Sequence, residues 1–561
     1  MSGVTAGAGP VVRVRDLRVS FGRRVVLSGI DLDLVPGRTV ALVGESGSGK
    51  SVLSRTLVGL TGRGARVTAD LFEIDGRSVS GLPDREWRRL RGRRIGFVSQ
   101  DALVALDPLR PAGREIAETL RLHSVGSRSS RPGLVAEALR AAGVPDPARV
   151  ARQRPGQLSG GLRQRALIAS AVAASPEVLI ADEPTTALDA TVQARILALL
   201  ASFAARGDAL VLVSHDLGVV ASVADEILVM RSGQIVERGA TSEVLRSASH
   251  PYTRSLLDAI PALHEPGARL SGDPAAPSPA RRAAGRPAAG RSAARPVAGV
   301  VTSTGIAIDA SGLVKRYTMP GGERRTVVSE VSLSVPAGKT LGLIGESGAG
   351  KSTVAGLILG TVTLDAGTVL LHGEPWSELP ERERRSRRSG IQMIYQDPLS
   401  SFDPRHTVRK VLADALRVSP RDSSRALELL DLVGLGGRQL DQHPLRLSGG
   451  QRQRVAIARA LATNPSVILC DEPVSAVDAS TQAQVLDLLL DLQRELGLSY
   501  VFISHDLSVV RHVSHEVVVL RDGVAVEAGP TAEVLVTPSH EYTQELLASV
   551  PAIPASQLPN S

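Results

Sequence analysis

Short, uninterrupted apolar runs recur along the chain: Thr39–Val43, Val178–Ala181, Leu210–Val213 and Ile227–Met230 in the first half, Thr340–Ile344 in the second. Runs of four or five residues bounded by glycine-rich or polar turns predict strands buried on both faces, the signature of a parallel sheet. Each half opens on β-rich pieces and then alternates strands with helices, and the stretch from Gln100 to Leu158 reads as helical. The predicted fold class is α/β, each half having a parallel core sheet, an antiparallel β subdomain and a helical subdomain. Each half closes on an amphipathic helix, Ser249–Leu263 (SHPYTRSLLDAIPAL) and Ser539–Ile553 (SHEYTQELLASVPAI). No apolar run reaches the 18 or so residues that a membrane-spanning helix needs. The start, MSGVTAGAGPVVRVRD, lacks the apolar core of a signal peptide.

The two halves are copies. GESGSGKS at Gly44–Ser51 returns as GESGAGKS at Gly345–Ser352, LSGGLRQR at 158–165 as LSGGQRQR at 447–454, and VLIADEP as VILCDEP. SHDL recurs at Ser214 and Ser504, and Gln100 corresponds to Gln396. The implied organisation is a tail at 1–10, a domain at 11–261, a linker at 262–303, a second domain at 304–555 and a tail at 556–561. Six prolines among Ala, Gly and Arg forbid a regular helix in the linker and leave nothing to build a core, so it reads as a flexible tether.

Charge changes this picture little. The net charge is +8, but residues 262–303 carry six arginines against one Glu and one Asp, so half the excess sits in the tether and no nucleic-acid partner is expected. The only cysteine, Cys470, excludes an internal disulfide or a four-cysteine metal cluster, and the composition fits the cytoplasm.

The candidate chemistry begins with the two G-x-x-x-x-G-K-S loops, each between an apolar strand and a helix-like stretch. Glycines let the backbone curl its N–H groups toward phosphate oxygens, and the helix N-terminus adds a positive dipole end. Lys50 and Lys351, two of only five lysines in the chain, would reach the β- and γ-phosphates, while Ser51 and Ser352 would ligate Mg²⁺. Asp182-Glu183 and Asp471-Glu472 end buried strands, where ligands bind in open α/β sheets. The aspartates would hold Mg²⁺ and the glutamates would act as general bases toward water. A surface Asp-Glu turn before proline is the bland alternative; the upstream loops and the histidines downstream argue against it.

His215 and His505 each end an apolar strand and are read as contacting the γ-phosphate and the general base, rather than as capping or core residues. Gln100 and Gln396 suit Mg²⁺ and water. Ser159-Gly160-Gly161 and Ser448-Gly449-Gly450 each precede a helix-like stretch and form a second anion site. A plain helix cap would not explain why each precedes its acidic pair by the same spacing.

Taken together these motifs resemble two ATP-binding cassette (ABC) nucleotide-binding domains fused in tandem, covering essentially all but the linker. The resemblance implies ATP and Mg²⁺ as cofactors. It implies Walker A contacts from Gly44, Glu45, Ser46, Gly47, Ser48, Gly49, Lys50 and Ser51, and from Gly345, Glu346, Ser347, Gly348, Ala349, Gly350, Lys351, Ser352 and Thr353. Q-loop residues Gln100 and Gln396 join Ser51, Asp182, Ser352 and Asp471 as Mg²⁺ ligands. Signature motifs fall at 158–162 and 447–451, D-loops at Ala187-Leu188-Asp189 and Ala476-Val477-Asp478, and switch histidines at His215 and His505. Phe21 and Tyr317 fall where the family places an adenine-stacking aromatic.

The H-x-Y-T elements and the Gln-Asp…Asp-Pro pattern after each Q-loop are similar to the oligopeptide/dipeptide/nickel branch of ABC importers. The resemblance therefore implies an energy-coupling ATPase on the cytoplasmic face of a bacterial inner membrane. Its partners would be two transmembrane permease subunits and an extracytoplasmic solute-binding protein. The cassettes would close head to tail, with two competent sites that differ at Leu162 against Gln451. Rival readings are a soluble twin-cassette translation factor, a DNA-repair ATPase and the tandem ATPase of a sugar-type importer. The proline-rich linker argues against the first, missing zinc-ligand cysteines and heptad arms against the second, and the H-x-Y-T elements against the third.

Overall fold

The computed structural model describes residues 9–100, 102–185, 188–271, 305–318, 322–475, 477–551, 553, 554 and 557. The chain forms two compact units, one from the residues up to Leu257 with those from Pro551 onward, the other from Asp258–Val550.

In the first unit, β1 (Val12–Phe21) and β2 (Arg24–Leu34) pair antiparallel and alternate buried with exposed positions, as strands of a one-sided sheet do. β4 (Ala65–Thr68), β5 (Leu71–Ile74) and β6 (Arg77–Ser78), which follow β3 (Thr39–Val43) in sequence, complete this antiparallel sheet. The core sheet has the order β11-β10-β3-β9-β8-β7. Its strands are β3 (Thr39–Val43), β7 (Ile95–Val98), β8 (Val178–Asp182), β9 (Ala209–Val213), β10 (Glu226–Arg231) and β11 (Gln234–Ala240), parallel except at the β10–β11 edge.

The predicted apolar runs are its buried centre: every residue of β3, β8 and β9 is buried. α1 (Lys50–Leu57) leaves the phosphate loop, and α2 (Ala112–Leu122), α3 (Arg131–Ala141) and α4 (Pro147–Arg152) form the helical part between Gln100 and Leu158. α2 buries Ala112, Ile116 and Leu120, one face at helical spacing. α5 (Gly160–Val172), α6 (Ala190–Ala205), α7 (Leu217–Val223) and α8 (Pro251–Asp258) follow.

The second unit repeats this plan. Its antiparallel sheet is β13-β12-β15-β16, from β12 (Ile306–Thr318), β13 (Arg324–Pro336), β15 (Ala366–Leu371) and β16 (Glu374–Pro375). Its core sheet is β17-β18-β19-β14-β20-β21, from β14 (Thr340–Ile344), β17 (Ile391–Ile394), β18 (Val467–Asp471), β19 (Ser499–Ile503), β20 (Glu516–Arg521) and β21 (Val524–Pro530). Helices α9 (Lys351–Leu359), α10 (Val408–Leu416), α11 (Ser424–Leu432), α12 (Gly449–Leu461), α13 (Ala479–Leu496), α14 (Leu507–Val513) and α15 (Glu541–Ala548) match those of the first unit except α4, in whose place stands a single 3-10 turn, Gly437–Gln439. No described helix is long and apolar enough to cross a membrane.

Of the stretch read as a tether, residues 262–271 pack into the second unit, and 272–303 lie outside the described residues. Leu270 enters that unit's core. The buried Asp487 carboxylate on α13 accepts from the Leu270 N–H (2.9 Å), the Ser271 N–H (2.8 Å) and the Ser271 hydroxyl (2.5 Å). Arg269 pairs with Asp491 at 3.4 Å, and Arg494 donates to the Gly267 carbonyl at 2.7 Å. Composition alone hides this, because the partners lie more than 200 residues away in sequence.

Candidate nucleotide-binding sites

In each core sheet the strand feeding the phosphate loop (β3 or β14) lies beside the strand ending at the histidine (β9 or β19). Next to that lies the strand ending at Asp-Glu (β8 or β18). The strands are parallel, so all three loops emerge at the carboxyl end of the sheet, where α/β sheets bind ligands.

The phosphate loop turns on a glycine that only glycine can supply. Gly44 has φ +148°, and a Cβ there would sit 2.2 Å from the Met230 carbonyl oxygen; Gly345 repeats this against Leu520. Lys50 Nζ donates to the carbonyls of Gly44 (2.6 Å) and Glu45 (2.8 Å). Lys351 does the same to Gly345 (2.7 Å) and Glu346 (2.8 Å). The loop thus holds its ammonium close to its own backbone, beside the helix N-terminus that favours anions.

Ser51 donates to Asp182 at 3.2 Å and Ser352 to Asp471 at 3.3 Å, joining the loop to the acidic strand. Ser54 adds a second hydroxyl to Asp182 at 3.3 Å; its counterpart in the second unit is Ala355. Burial pushes both aspartates above the ordinary carboxylate range, with the serine hydroxyls pulling the other way. A hard dication is the partner that would hold such a buried carboxylate ionised, and carboxylate plus hydroxyl oxygen is the donor set Mg²⁺ takes. The residues fit the metal.

Glu183 and Glu472 adopt left-handed backbone, φ +48° and +47°. Their N–H groups still donate to the Val213 and Ile503 carbonyls, so the turn begins directly at the strand end. Gln100 donates to Glu183 at 2.9 Å, and Gln396 to Glu472 at 2.6 Å. His215 Nδ1 lies 3.5 Å from the Glu183 carboxylate, and His505 Nδ1 3.1 Å from that of Glu472. Burial works against a charged imidazole, yet the adjacent glutamate outweighs it, and both histidines are raised above 6.5. Glu472 moves the opposite way: burial favours its neutral form, but His505 and Lys351 bring it below 4.5. Glutamine, glutamate and histidine are thereby gathered at one point in each unit.

Ser159 and Ser448 cap α5 and α12, their hydroxyls accepting from Leu162 N and Gln451 N at 3.3 Å. Gln451 returns a bond from the Ser448 N–H at 3.1 Å, completing a capping box. The second signature glycine has a packing reason. A Cβ on Gly161 would approach Val192 to 2.7 Å, and one on Gly450 would approach Thr481 to 2.3 Å. Asp189 and Asp478 cap α6 and α13, while Ala187 and Ala476 lie outside the described residues. Phe21 is partly buried against the core; Tyr317 is exposed, with the Lys315 ammonium 5.5 Å over its ring. Sequence reasoning missed Ser54 and the left-handed glutamates; nothing in a one-dimensional pattern marks either.

The ABC transporter family matches residues 27–186 and 328–475. The chain belongs to this family. The oligopeptide/dipeptide transporter C-terminal region matches residues 236–287 and 526–560. The ABC chain is 41% identical, over 606 aligned positions, to the oligopeptide transport ATP-binding protein OppD of Mycobacterium tuberculosis, spanning 97% of this chain and 98% of that one. It is 38% identical over 576 positions to the glutathione import ATP-binding protein GsiA of Escherichia coli K12, spanning 98% and 91%. The GsiA of Salmonella typhimurium is 39% identical over 569 positions, spanning 98% and 90%. Among solved structures, the bacterial ABC transporter cassette MJ0796 covers 40% of this chain and 98% of its own, at 31% identity and a TM-score of 0.37. The chain is a tandem ABC ATPase that binds ATP.

Proposed function

We propose that this ABC ATPase is the energy-coupling subunit of a bacterial importer for peptides or related small solutes. It would drive two separate permease subunits from the cytoplasmic face of the inner membrane, with an extracytoplasmic binding protein delivering the solute. The observation that carries the reading is the oligopeptide/dipeptide-type C-terminal region present in both halves, together with full-length similarity to peptide and glutathione import ATPases. Residues 11–261 and 304–555 are proposed as the two cassettes, with the residues named above as their site residues.

In each site Lys50 or Lys351 would exchange its loop carbonyls for the phosphates. Ser51, Asp182 and Gln100, and Ser352, Asp471 and Gln396, would hold Mg²⁺, which supplies neutralisation of phosphate charge. Glu183 and Glu472 accept the proton of the attacking water, held in place by a glutamine N–H and a histidine. The histidine, whose charged form the adjacent glutamate favours, would direct an N–H donor toward the developing phosphate charge. Head-to-tail closure onto Ser159 and Ser448 is proposed on the family resemblance.

The test is steady-state ATPase of Glu183→Gln, Glu472→Gln and the double variant, with purification from membranes holding both permeases. Each single change should remove a contribution of about 10²–10⁴-fold at its own site, and the chain should copurify with the permeases. Cosedimentation with ribosomes and no permease would overturn the importer reading while leaving the ATPase intact.

A further inference from the structure

The C-terminal element of each half, read only as a mark of kinship, touches the phosphate loop. Glu237 on β11 accepts from Ser249 N (2.6 Å), Ser249 Oγ (2.8 Å) and His250 N (3.2 Å). The His250 ring nitrogen in turn accepts from Tyr252 N at 3.1 Å, capping α8. The buried Tyr252 ring lies against the Arg231 guanidinium, 4.8 Å from its centroid. From there its hydroxyl oxygen accepts the backbone N–H of Glu45, the second residue of the phosphate loop, at 3.0 Å.

The second half builds the same chain: Glu527 to Ser539 and His540, His540 to Tyr542, Arg521 over the Tyr542 ring at 4.8 Å, and Glu346 N to the Tyr542 hydroxyl at 3.1 Å. The contact is reproduced to 0.1 Å in the two halves, and with it every residue of the supporting chain.

The bonded peptide matters. The Glu45 N–H belongs to the same peptide unit as the Gly44 carbonyl, which accepts Lys50 Nζ at 2.6 Å. One peptide plane is held at its N–H end by tyrosine and at its C=O end by the phosphate-binding lysine. Gly345–Glu346 stands likewise between Tyr542 and Lys351. A peptide plane is rigid, so turning it at one end displaces the acceptor at the other.

We propose that Tyr252 and Tyr542 are positioning residues of the ATPase: through the Gly44–Glu45 and Gly345–Glu346 peptides they fix where Lys50 and Lys351 wait, and so link the oligopeptide-type C-terminal region to nucleotide affinity. The proposal rests on the ATPase activity and the loop geometry, and is independent of the solute carried.

The test uses the full chain. Tyr252→Phe/Tyr542→Phe keeps both rings over their arginines and removes only the hydroxyls. It should raise KM for ATP about tenfold, within the range expected when a buried backbone donor loses its acceptor, with kcat within about twofold. Backbone amide exchange over residues 44–50 and 345–351 should quicken.

His250→Ala/His540→Ala, which uncaps α8 and α15 without touching the hydroxyls, is the structural control. It should lower thermal stability and leave KM within about twofold. In a Lys50→Ala/Lys351→Ala background the tyrosine changes should add nothing to the loss of fluorescent-ATP binding. An unchanged KM in the tyrosine variant, the same KM rise in the histidine control, or full additivity with the lysine variants would each overturn the proposal.

Discussion

The left-handed backbone at Glu183 and Glu472, the proposed general bases, gives a stability signature that can be measured apart from catalysis. Glu472 has φ +47°, where an L-residue bears about 1–2 kcal/mol of crowding between Cβ and the carbonyl. Its carboxylate also engages Gln396 and His505, so any single substitution mixes backbone and side-chain effects. Comparing Glu472→Gly with Glu472→Ala removes the confusion, since both lose the carboxylate and only one relieves the backbone. At an ordinary site glycine is the worse residue by roughly 0.5–1 kcal/mol, because it gains more entropy on unfolding. Here relief should exceed that loss, leaving the glycine variant more stable by about 0.5–1 kcal/mol, or roughly 1–4 °C for a unit of this size. The chain has two tryptophans, Trp87 in the first unit and the buried Trp376 in the second. In a Trp87→Phe background the fluorescence melt follows the second unit alone. Both variants should lose hydrolysis at that site. An alanine variant as stable as the glycine variant, or more so, would refute the claim that Glu472 is held under strain.

The remaining expectations follow from the same geometry. His505→Gln should lower stability most at acidic pH. A histidine raised above 6.5 contributes fully below that value and loses its contribution as pH climbs through the folded value. Glu472, lowered beneath 4.5, contributes above 4.5 and loses it below. The gap between wild type and variant should therefore be widest between about pH 4.5 and 6.5 and shrink above; melts that show it growing toward alkaline pH would contradict the ion pair. Gly450→Ala should cost about 1–3 kcal/mol through the Thr481 clash, and Thr481→Ala should recover most of it if packing, not phosphate contact, demands that glycine. Asp487→Ala should open the Leu270–Ser271 anchor, so that trypsin cuts after Arg269 markedly faster than in wild type while its rate at Arg281 stays unchanged.

What could be read without coordinates was whatever repeats locally. Strands such as Val178–Asp182 declare themselves because every position is apolar until the acid, and the loops declare themselves because glycine and lysine must stand at fixed spacing to curl around phosphate. The glutamate and histidine of each site stand out in the sequence at the ends of apolar runs, and the glutamine through its recurrence in both halves, but nothing there said that the glutamine would meet the glutamate. Features that depend on a distant partner stayed hidden. Asp487 looks like one more acid on an amphipathic helix until residues 270 and 271 arrive at it. Ser54 looks like an ordinary second-turn serine until Asp182 is across from it. The positive φ of Glu183 has no sequence mark at all, because glutamate is a residue that ordinarily avoids it.

Comparing the halves shows where selection on chemistry ends and freedom begins. The proposed site residues are doubled in both halves: lysine, serine, aspartate, glutamate, glutamine and histidine, in matching contacts. The groups that steady them are not. Asp182 has two serine hydroxyls where Asp471 has one and an alanine. Ser448 is held by a reciprocal glutamine bond where Ser159 has a leucine three residues on. One such added hydrogen bond contributes about 0.5–1.5 kcal/mol, enough to change how firmly a signature serine is aimed without changing what it is. Two sites with the same chemistry and unequal supports should both hydrolyse ATP, and their difference should reside in nucleotide affinity and closure more than in the bond-breaking step.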